Sequence, residues 1–414
     1  MNPTQISVSE SNFISINPLH SITNTDVPLE FNIPGTSDQY LDPSNVFLYV
    51  KTKLTKPDGT DLPTGDDHIV YTESNFLYTC FTQVEVYLNG TSLGASAANY
   101  PYRSYIEHLL NYSDDAKQSH LKSCGFYSFK DEAAHIDKAA KVINNTYEFY
   151  GRLNGDIFSQ ERLILPSVDT RIILSRSNPK FALKIKSKPT ATAVCPEPVF
   201  KLLEAYLYVR KVKLSPQRHL EIENSLLNTT AKYPIKRVET KIFNFTQGLS
   251  SINIPNIVNG NLPQKVIIGI VEHEAYSGNY KKSPYKFTPF GLRGISLHVN
   301  GLPHGRDYEM LYNGDLSLCT RPFYDLIANT VSCNDSGTGL NLEEYAKNSN
   351  LYAYDLTADL SACNAYHLNI LRKGTLGLSL SFGSSLQSPI TVVVYLEHPQ
   401  LIEIDRVRNV LLNY

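Results

Sequence analysis

Gly90-Thr91-Ser92-Leu93-Gly94 fits the Gly-x-Ser-x-Gly pattern of a hydrolase nucleophile elbow. That chemistry sets the serine on a sharp turn between a strand and an immediately following helix, within a parallel sheet. Here the first helical periodicity begins near Pro101, too late for an elbow. A second copy of the stretch, Gly301-Leu302-Pro303-His304-Gly305, keeps both glycines and lacks the serine. What repeats is a turn, not a nucleophile. Glu272-His273-Glu274 offers metal-binding residue types at the end of a strand. Successive strand side chains point to opposite faces, so these three do not converge on one ion. His298 and His304 have no partner at ligand spacing, and no pair of carboxylates stands out for acid–base work. Lys184, Lys186 and Lys188 form a short basic run, read as the solvated face of a loop. Cys80, Cys124, Cys195, Cys319, Cys333 and Cys363 are scattered without a Cys-x-x-Cys pair, against both a zinc site and a disulfide framework. The expectation is no catalytic residue, no cofactor and no metal.

The elements around these residues are written twice. Val84, Val86 and Leu88 alternate with Glu85 and Tyr87 and run into Asn89-Gly90; Ile295, Leu297 and Val299 alternate in the same way and run into Asn300-Gly301. The alternation is that of a half-buried strand, and Asn-Gly tolerates the positive φ of a tight turn. Asn89, Gly90, Asn300 and Gly301 are therefore assigned as structural turn residues. Phe31-Asn32-Ile33-Pro34 precedes Val46, and Ile252-Asn253-Ile254-Pro255 precedes Val266, at offsets of 221 (255 − 34) and 220 (266 − 46). Pro101-Tyr102 with Tyr105-Ile106 returns as Pro322-Phe323 with Leu326-Ile327, again at 221 (322 − 101). Three matched features in one order indicate a duplicated β unit.

Each unit is about 200 residues, a size that suits all-β domains. The boundaries read as an extended arm at 1–28, a first unit at 29–215, a polar linker at 216–235, a second unit at 236–400 and a tail at 401–414. Strands are expected at 29–33, 46–54, 84–88, 162–165, 171–175 and 200–214, then at 241–245, 252–254, 266–271, 295–299, 376–382 and 391–396. Helices are expected at 102–110, around 131–142 and near 323–328. Short strands, many turns and a helix after the middle strand suit two tandem eight-stranded jelly rolls with short helices in the loops, an all-β fold.

Composition narrows the function. The net charge of −2 over 414 residues gives no electrostatic footprint for strong nucleic-acid binding. Charged residues make up 19% of the chain, and Tyr numbers 27 with no Trp. Two readings of this stay open: a surface that meets protein neighbours, since interface centres lose charge and gain Tyr, or a Tyr-rich β core. The amino terminus has no signal-peptide pattern and no apolar run reaches the length of a membrane span. A reducing compartment is expected, with the sequons at Asn89 and Asn244 unused.

Stretches 28–34, 84–90, 102–110, 163–171 and 294–301, in that order, resemble the major capsid proteins of Polinton (Maverick) elements and their adintovirus relatives, of the double jelly-roll capsid lineage. The resemblance runs from about 28 to 396. It implies two jelly rolls standing side by side in an icosahedral shell, with three chains making a capsomer of near-hexagonal outline. It also implies as partners further copies of the chain, neighbouring capsomers, a single-jelly-roll penton protein and other minor capsid proteins. The location implied is the virion capsid, the chain being made inside the host cell. The chain is compact for that lineage, without room for the tower insertions of adenovirus hexons. The contending class is a paired-jelly-roll glycan-binding protein or amidase, which calls for a secretory signal, disulfides and a cluster of acidic or aromatic residues on one face.

Overall fold

The computed structural model describes residues 5–413 apart from 24–26, 63–66, 95–98, 189–194, 311–315, 331–336 and 364–368. The first half carries β1 (Val8–Ile16), β2 (Leu29–Ile33), β3 (Tyr40–Thr55), β4 (His68–Thr72), β5 (Phe81–Leu88), β6 (Thr91–Ser92), β7 (Thr146–Arg152), β8 (Thr170–Arg176), β9 (Leu183–Ser187) and β10 (Val199–Leu214). The second carries β11 (Ala231–Phe245), β12 (Ser251–Asn261), β13 (Lys265–Glu272), β14 (Leu292–Val299), β15 (Leu302–Glu309), β16 (Leu351–Asp355), β17 (Lys373–Phe382), β18 (Ile390–Ile404) and β19 (Val410–Asn413). The first half pairs β1-β10-β3-β7 in one sheet and β2-β8-β5-β6 in the other, with β4 and β9 as a separate ribbon. The second half pairs β11-β18-β13-β16 and β12-β17-β14-β15, with β19 added beside β18. Setting the ribbon and β19 aside, both halves read 1-8-3-6 and 2-7-4-5 when their eight strands are ranked in chain order. The fold is a double jelly roll, all-β with short helices in its loops.

Period-two patterning builds each core. Val46, Leu48 and Val50 of β3 face inward beside Leu207 and Val209 of β10, against Phe31, Ile172 and Leu174 of the opposite sheet. In the second roll Val266, Ile268 and Ile270 face Leu376, Leu378 and Leu380 across the sandwich. Each such side chain contributes roughly 1.5–3 kcal/mol by leaving water. The two third-ranked strands differ on their other face. From Val46 onward β3 alternates buried and half-buried as far as Leu54, whereas β13 is buried at every residue from Lys265 to Val271. A continuous apolar run such as Val266-Ile267-Ile268 marks a strand covered on both sides, and the second cover here is shared between Tyr102, Tyr105, Ile106 and Leu109 of the first half and Tyr285, Phe287 and Tyr345 of the second.

Several expected boundaries shift. The stretch 1–28 is not simply an arm: β1 pairs along β10 and is the first strand of the first roll. Its exposed residues are Ser9, Glu10, Ser11, Asn12, Phe13 and Ser15, a pattern that hides an edge strand. The expected linker 216–235 is a helix, Pro216–Ser225, followed by the opening of β11, so the second roll begins at Ala231 rather than 236. Pro234 lies inside that strand because β11 is an edge, where a missing N–H costs nothing. The tail 401–414 is the end of β18 and the β19 hairpin, and Val410 enters the core of the first roll. Stretch 162–165 is no strand; Ile164 makes a single bridge to Leu41. Lys184 and Lys186 lie on β9 rather than a loop, and Lys184 is buried.

Candidate functional site

Ser92 ends the two-residue strand β6, and its Oγ donates to Gly94 O at 3.4 Å. No base stands beside it in that bond. Glu272 and Glu274 do converge, but on a lysine: each places a carboxylate oxygen 2.5 Å from Lys282 Nζ. His273 turns away to Thr391 Oγ1, 3.0 Å, and opens the short helix His273–Ser277 rather than ending the strand. His298 Nε2 lies 3.1 Å from Ser379 Oγ, and His304 Nε2 lies 3.4 Å from Asp355 O. Among the described residues no three His, Cys, Asp or Glu side chains are grouped to hold a metal ion. Cys80 and Cys124 are buried free thiols, Cys195 and Cys363 are half-buried free thiols, Cys319 is buried, and Cys333 lies outside the described residues. Burial pushes the Cys80 and Cys124 thiols above their ordinary value, the reverse of nucleophile activation.

The Asn-Gly pairs close two-residue hairpins, β5 to β6 and β14 to β15. Both residues of each pair have positive φ: 46° and 81° at Asn89 and Gly90, 53° and 78° at Asn300 and Gly301. That is the signature of the type I′ turn. Each asparagine also extends the ladder to the strand alongside. Asn89 N donates to Asp169 O at 3.0 Å while Asp169 N donates to Asn89 Oδ1 at 2.8 Å. Asn300 makes the same pair with Thr375, at 2.9 Å in both directions. An added Cβ at Gly90 or Gly301 meets nothing within 4 Å, so a substitution there tests backbone strain alone. Gly90→Val and Gly301→Val are each expected to cost about 1–2 kcal/mol, read as a lowered unfolding midpoint. Unchanged midpoints in both would contradict the turn assignment.

The most densely built polar and aromatic region is the seam between the rolls. Pro101 starts the helix Tyr100–Asn111 at a position where its missing N–H is not needed. The helix is buried nearly all round because two cores claim it. Tyr100 packs into the first roll, while Tyr102, Tyr105, Ile106 and Leu109 pack with Ile267, Val393 and Tyr395 on the outer face of the second. Tyr105 lies flat on Tyr285, centroids 4.1 Å apart and planes 3° apart, and Tyr285 OH meets Thr79 Oγ1 at 2.6 Å. Seven of the 27 tyrosines belong to this cluster, in the interior.

Charge is threaded through the same seam. Arg103, 5% exposed, places Nε 3.1 Å from Glu107 Oε1 and Nη2 2.7 Å from Asp156 Oδ1. Asp156 Oδ1 also accepts from Val238 N on β11 at 3.2 Å, and Tyr395 OH donates to Glu107 Oε1 at 3.2 Å. First-roll carboxylates thus hold second-roll strands. Burial pushes the Asp156 carboxyl up even against the Arg103 guanidinium. Glu397 goes the other way: burial opposes its charge, but Lys265 and Lys236 hold it below the usual carboxylate range. A cavity of about 790 Å³ runs along the seam, lined among others by Arg103, Glu107, Lys236, Lys265 and Glu397. Arg103 pairs with Glu107, and Lys236 and Lys265 pair with Glu397, while Arg152 on the same wall donates to Phe158 O at 2.6 Å.

Sequence reasoning missed this network, since Arg103, Asp156 and Glu397 come together only through the pairing of the rolls. It missed a second one too. Lys184 Nζ reaches Glu132 Oε1 at 2.5 Å, beside Glu73, which is 1% exposed. Burial raises the Glu73 carboxyl, with Lys184 pulling the other way.

Buried histidines give the fold a pH dependence of known sign. His108, 4% exposed, contacts Asn75 Oδ1 at 2.8 Å through Nδ1. Burial, with Lys117 adding repulsion, lowers its pKa to about 3. Burial likewise lowers His398 to about 4. An unfolded imidazole titrates at about 6.5, so below that pH the unfolded chain takes up protons that the folded chain refuses. Stability therefore falls as pH drops from 6.5 toward 4, while the raised carboxyls of Glu73 and Asp156 act with the opposite sign. Between pH 7 and pH 5, His108 alone is expected to remove on the order of 1–2 kcal/mol. Urea unfolding of His108→Gln at both pH values checks this: the drop should shrink by that amount, and an undiminished drop counts against it.

No protein-family model matches the chain. A Caenorhabditis elegans protein described only as uncharacterized is 20% identical over 423 residues, spanning 99% of this chain and 98% of its own length. Solved structures share the fold at low identity. A chain of the Sputnik virophage structure matches with a TM-score of 0.69 at 10% identity, over 100% of this chain and 90% of its own. The Faustovirus major capsid protein matches at 0.59 and 8% identity, over 98% and 92%. The mavirus major capsid protein matches at 0.56 and 9% identity, over 100% and 92%.

Proposed function

We propose that this chain is the structural subunit of an icosahedral viral shell, a major capsid protein and not an enzyme. The observation that carries this is the match of the paired rolls, across the whole chain, to shell proteins of virophages and a large DNA virus. The chemistry agrees: the residue types that suggested a hydrolase or a metal site are engaged in turns, ion pairs and strand contacts. Three copies would bring six rolls into a capsomer of near-hexagonal outline. Further partners in this reading are neighbouring capsomers, a single-jelly-roll penton protein and other minor capsid proteins. The chain would be made inside the host cell and reside in the virion capsid.

The finer assignment is to the Polinton (Maverick) and adintovirus type. It is supported by the order of motifs from 28 to 396 and by a relative of matching length in an animal, the nematode. Electron microscopy of the purified chain tests the function. Class averages of near-hexagonal outline, and closed shells on coexpression with a single-jelly-roll partner, are expected. Particles of single-chain size that bind or cleave glycans would overturn it in favour of the paired-jelly-roll amidase class.

A further inference from the structure

The seam cavity carries a surplus of positive charge. Four of its lining side chains are permanent cations, Arg103, Arg152, Lys236 and Lys265, and two are carboxylates, Glu107 and Glu397. Arg103 is engaged by Glu107 and by Asp156 outside the cavity, and Lys236 and Lys265 share Glu397 at 3.1 and 3.7 Å. Arg152 has no carboxylate. Its Nη2 donates to Phe158 O at 2.6 Å, and it makes no ion pair among the described residues. An exposed arginine needs no partner in open water, but this one lines a cavity of about 790 Å³. That size lies within the roughly 300–1,000 Å³ of small-molecule sites.

The exposed lining residues mark the mouth: Asn111, His120 and Ser123 from the first helix onward, with Tyr150 and Arg152 on β7. Lys265, Tyr395 and Glu397, all buried, mark the floor. Ser123 Oγ donates to Tyr150 O at 2.7 Å and ties the two parts of the mouth together. A Cβ at Gly151 would collide with Cys124 Sγ, so β7 is packed closely against its neighbour and holds Arg152 in place. Tyr112, also on the lining, feels the same cation: burial pushes its phenol up and the Arg152 guanidinium pulls the other way. Neither Tyr112 nor Tyr150 uses its hydroxyl in a hydrogen bond among the described residues. Beside the mouth, the outer sheet face of the first roll is uncovered and carries a row of rings. Phe13, Phe47, Tyr150 and Tyr208 follow one another with centroids 6.3, 5.4 and 6.0 Å apart, and Phe13 is 58% exposed.

We propose that the cavity binds a small organic anion, an oxyanion on an aromatic body, with the Arg152 guanidinium as its charge partner and Phe47 and Tyr150 against its ring. A guanidinium fork matches carboxylate and phosphate alike, and neighbouring rings suit a flat apolar body. Glu107 and Glu397 already neutralise the cations of the floor, which sets the anion at the mouth. The inference goes beyond the shell-subunit reading and does not depend on it.

The full chain, in a buffer free of phosphate and carboxylates, is titrated calorimetrically with benzoate, phenyl phosphate and benzamide. One of the two anions should bind saturably at millimolar concentration or below. Benzamide, with the same ring and no charge, should bind at least about tenfold more weakly. The tighter anion identifies the head group. Arg152→Gln, at an exposed position, should keep the ligand-free melting curve and weaken anion binding about tenfold or more. Arg152→Lys, which keeps the charge and loses the fork, should fall between. Arg218→Gln, on the exposed helix Pro216–Ser225, should leave binding unchanged. Equal affinity for benzamide would overturn the charge pairing. Undiminished binding by Arg152→Gln, or an equal loss in Arg218→Gln, would overturn the location. No saturable binding of either anion would overturn the site itself. A chain that binds the anion yet stays monomeric would contradict the shell reading and leave this one standing.

Discussion

Arg103→Met is expected to destabilise the chain by about 3–5 kcal/mol, because it strips a buried, shared cation from two half-buried carboxylates. The Arg103 guanidinium holds both Glu107 and Asp156, and the latter also anchors β11 through the Val238 amide. Methionine fills much of the space and supplies no charge, so the loss reads out electrostatics rather than a void. Burial already pushes the Asp156 carboxyl up with the arginine in place. Without it, Asp156 should take up a proton well above the usual carboxylate range, and the deficit should shrink as pH is lowered. Urea unfolding at pH 7 and pH 5 measures both effects. Adding Asp156→Asn to Arg103→Met should recover part of the loss, since the orphaned charge is then gone. A loss under about 1 kcal/mol would mean that water reaches the seam and screens the pair as it does at a surface.

Tyr105→Ala should cost about as much, 3–5 kcal/mol in round terms, for a different reason. Tyr105 is 1% exposed and lies against Tyr285 and Phe126 with Phe287 near by. Its removal opens a hole bounded by rings that belong to both rolls, and packed rings do not collapse into such a space. Tyr285→Ala should be comparably damaging. The double variant should lose less than the sum by about 0.5–1.5 kcal/mol, the part that belongs to the stacked pair itself. Strict additivity in that cycle would mean the two rings do not stabilise each other. By contrast, Tyr208→Ala on the uncovered sheet face should hardly move the unfolding midpoint of the isolated chain.

The duplication was legible because inward-facing residues repeat: Val46 with Val266, Asn89-Gly90 with Asn300-Gly301, and Pro101 with Pro322 mark positions where burial, positive φ or a helix start restricts the choice of residue. The first strand of each roll was not. β1 presents Ser11, Asn12 and Ser15 with only Ile14 and Ile16 turned toward the core, and β11 contains Pro234. Edge strands need neither strong β formers nor every N–H, so they read as arm and linker. Pro399, inside β18, is allowed for a related reason: β13 pairs only as far as Glu397 and β19 begins at Leu401, so β11 alone flanks it there. The ionic seam was illegible because its members are far apart in the chain, as with Glu107 and Tyr395, and become neighbours only when the rolls meet. Lys184 misled in the same way, since the Glu132 that neutralises it lies 52 residues earlier. The tyrosine count left core and interface readings open. The seam answers for the core, and the row from Phe13 to Tyr208 keeps the interface reading alive.

The most direct measurement is the solution mass of the purified chain, by light scattering after size exclusion over a dilution series. The expected result is a mass near three times 46.5 kDa that persists on dilution. A clean monomer at every concentration would contradict the shell-subunit function.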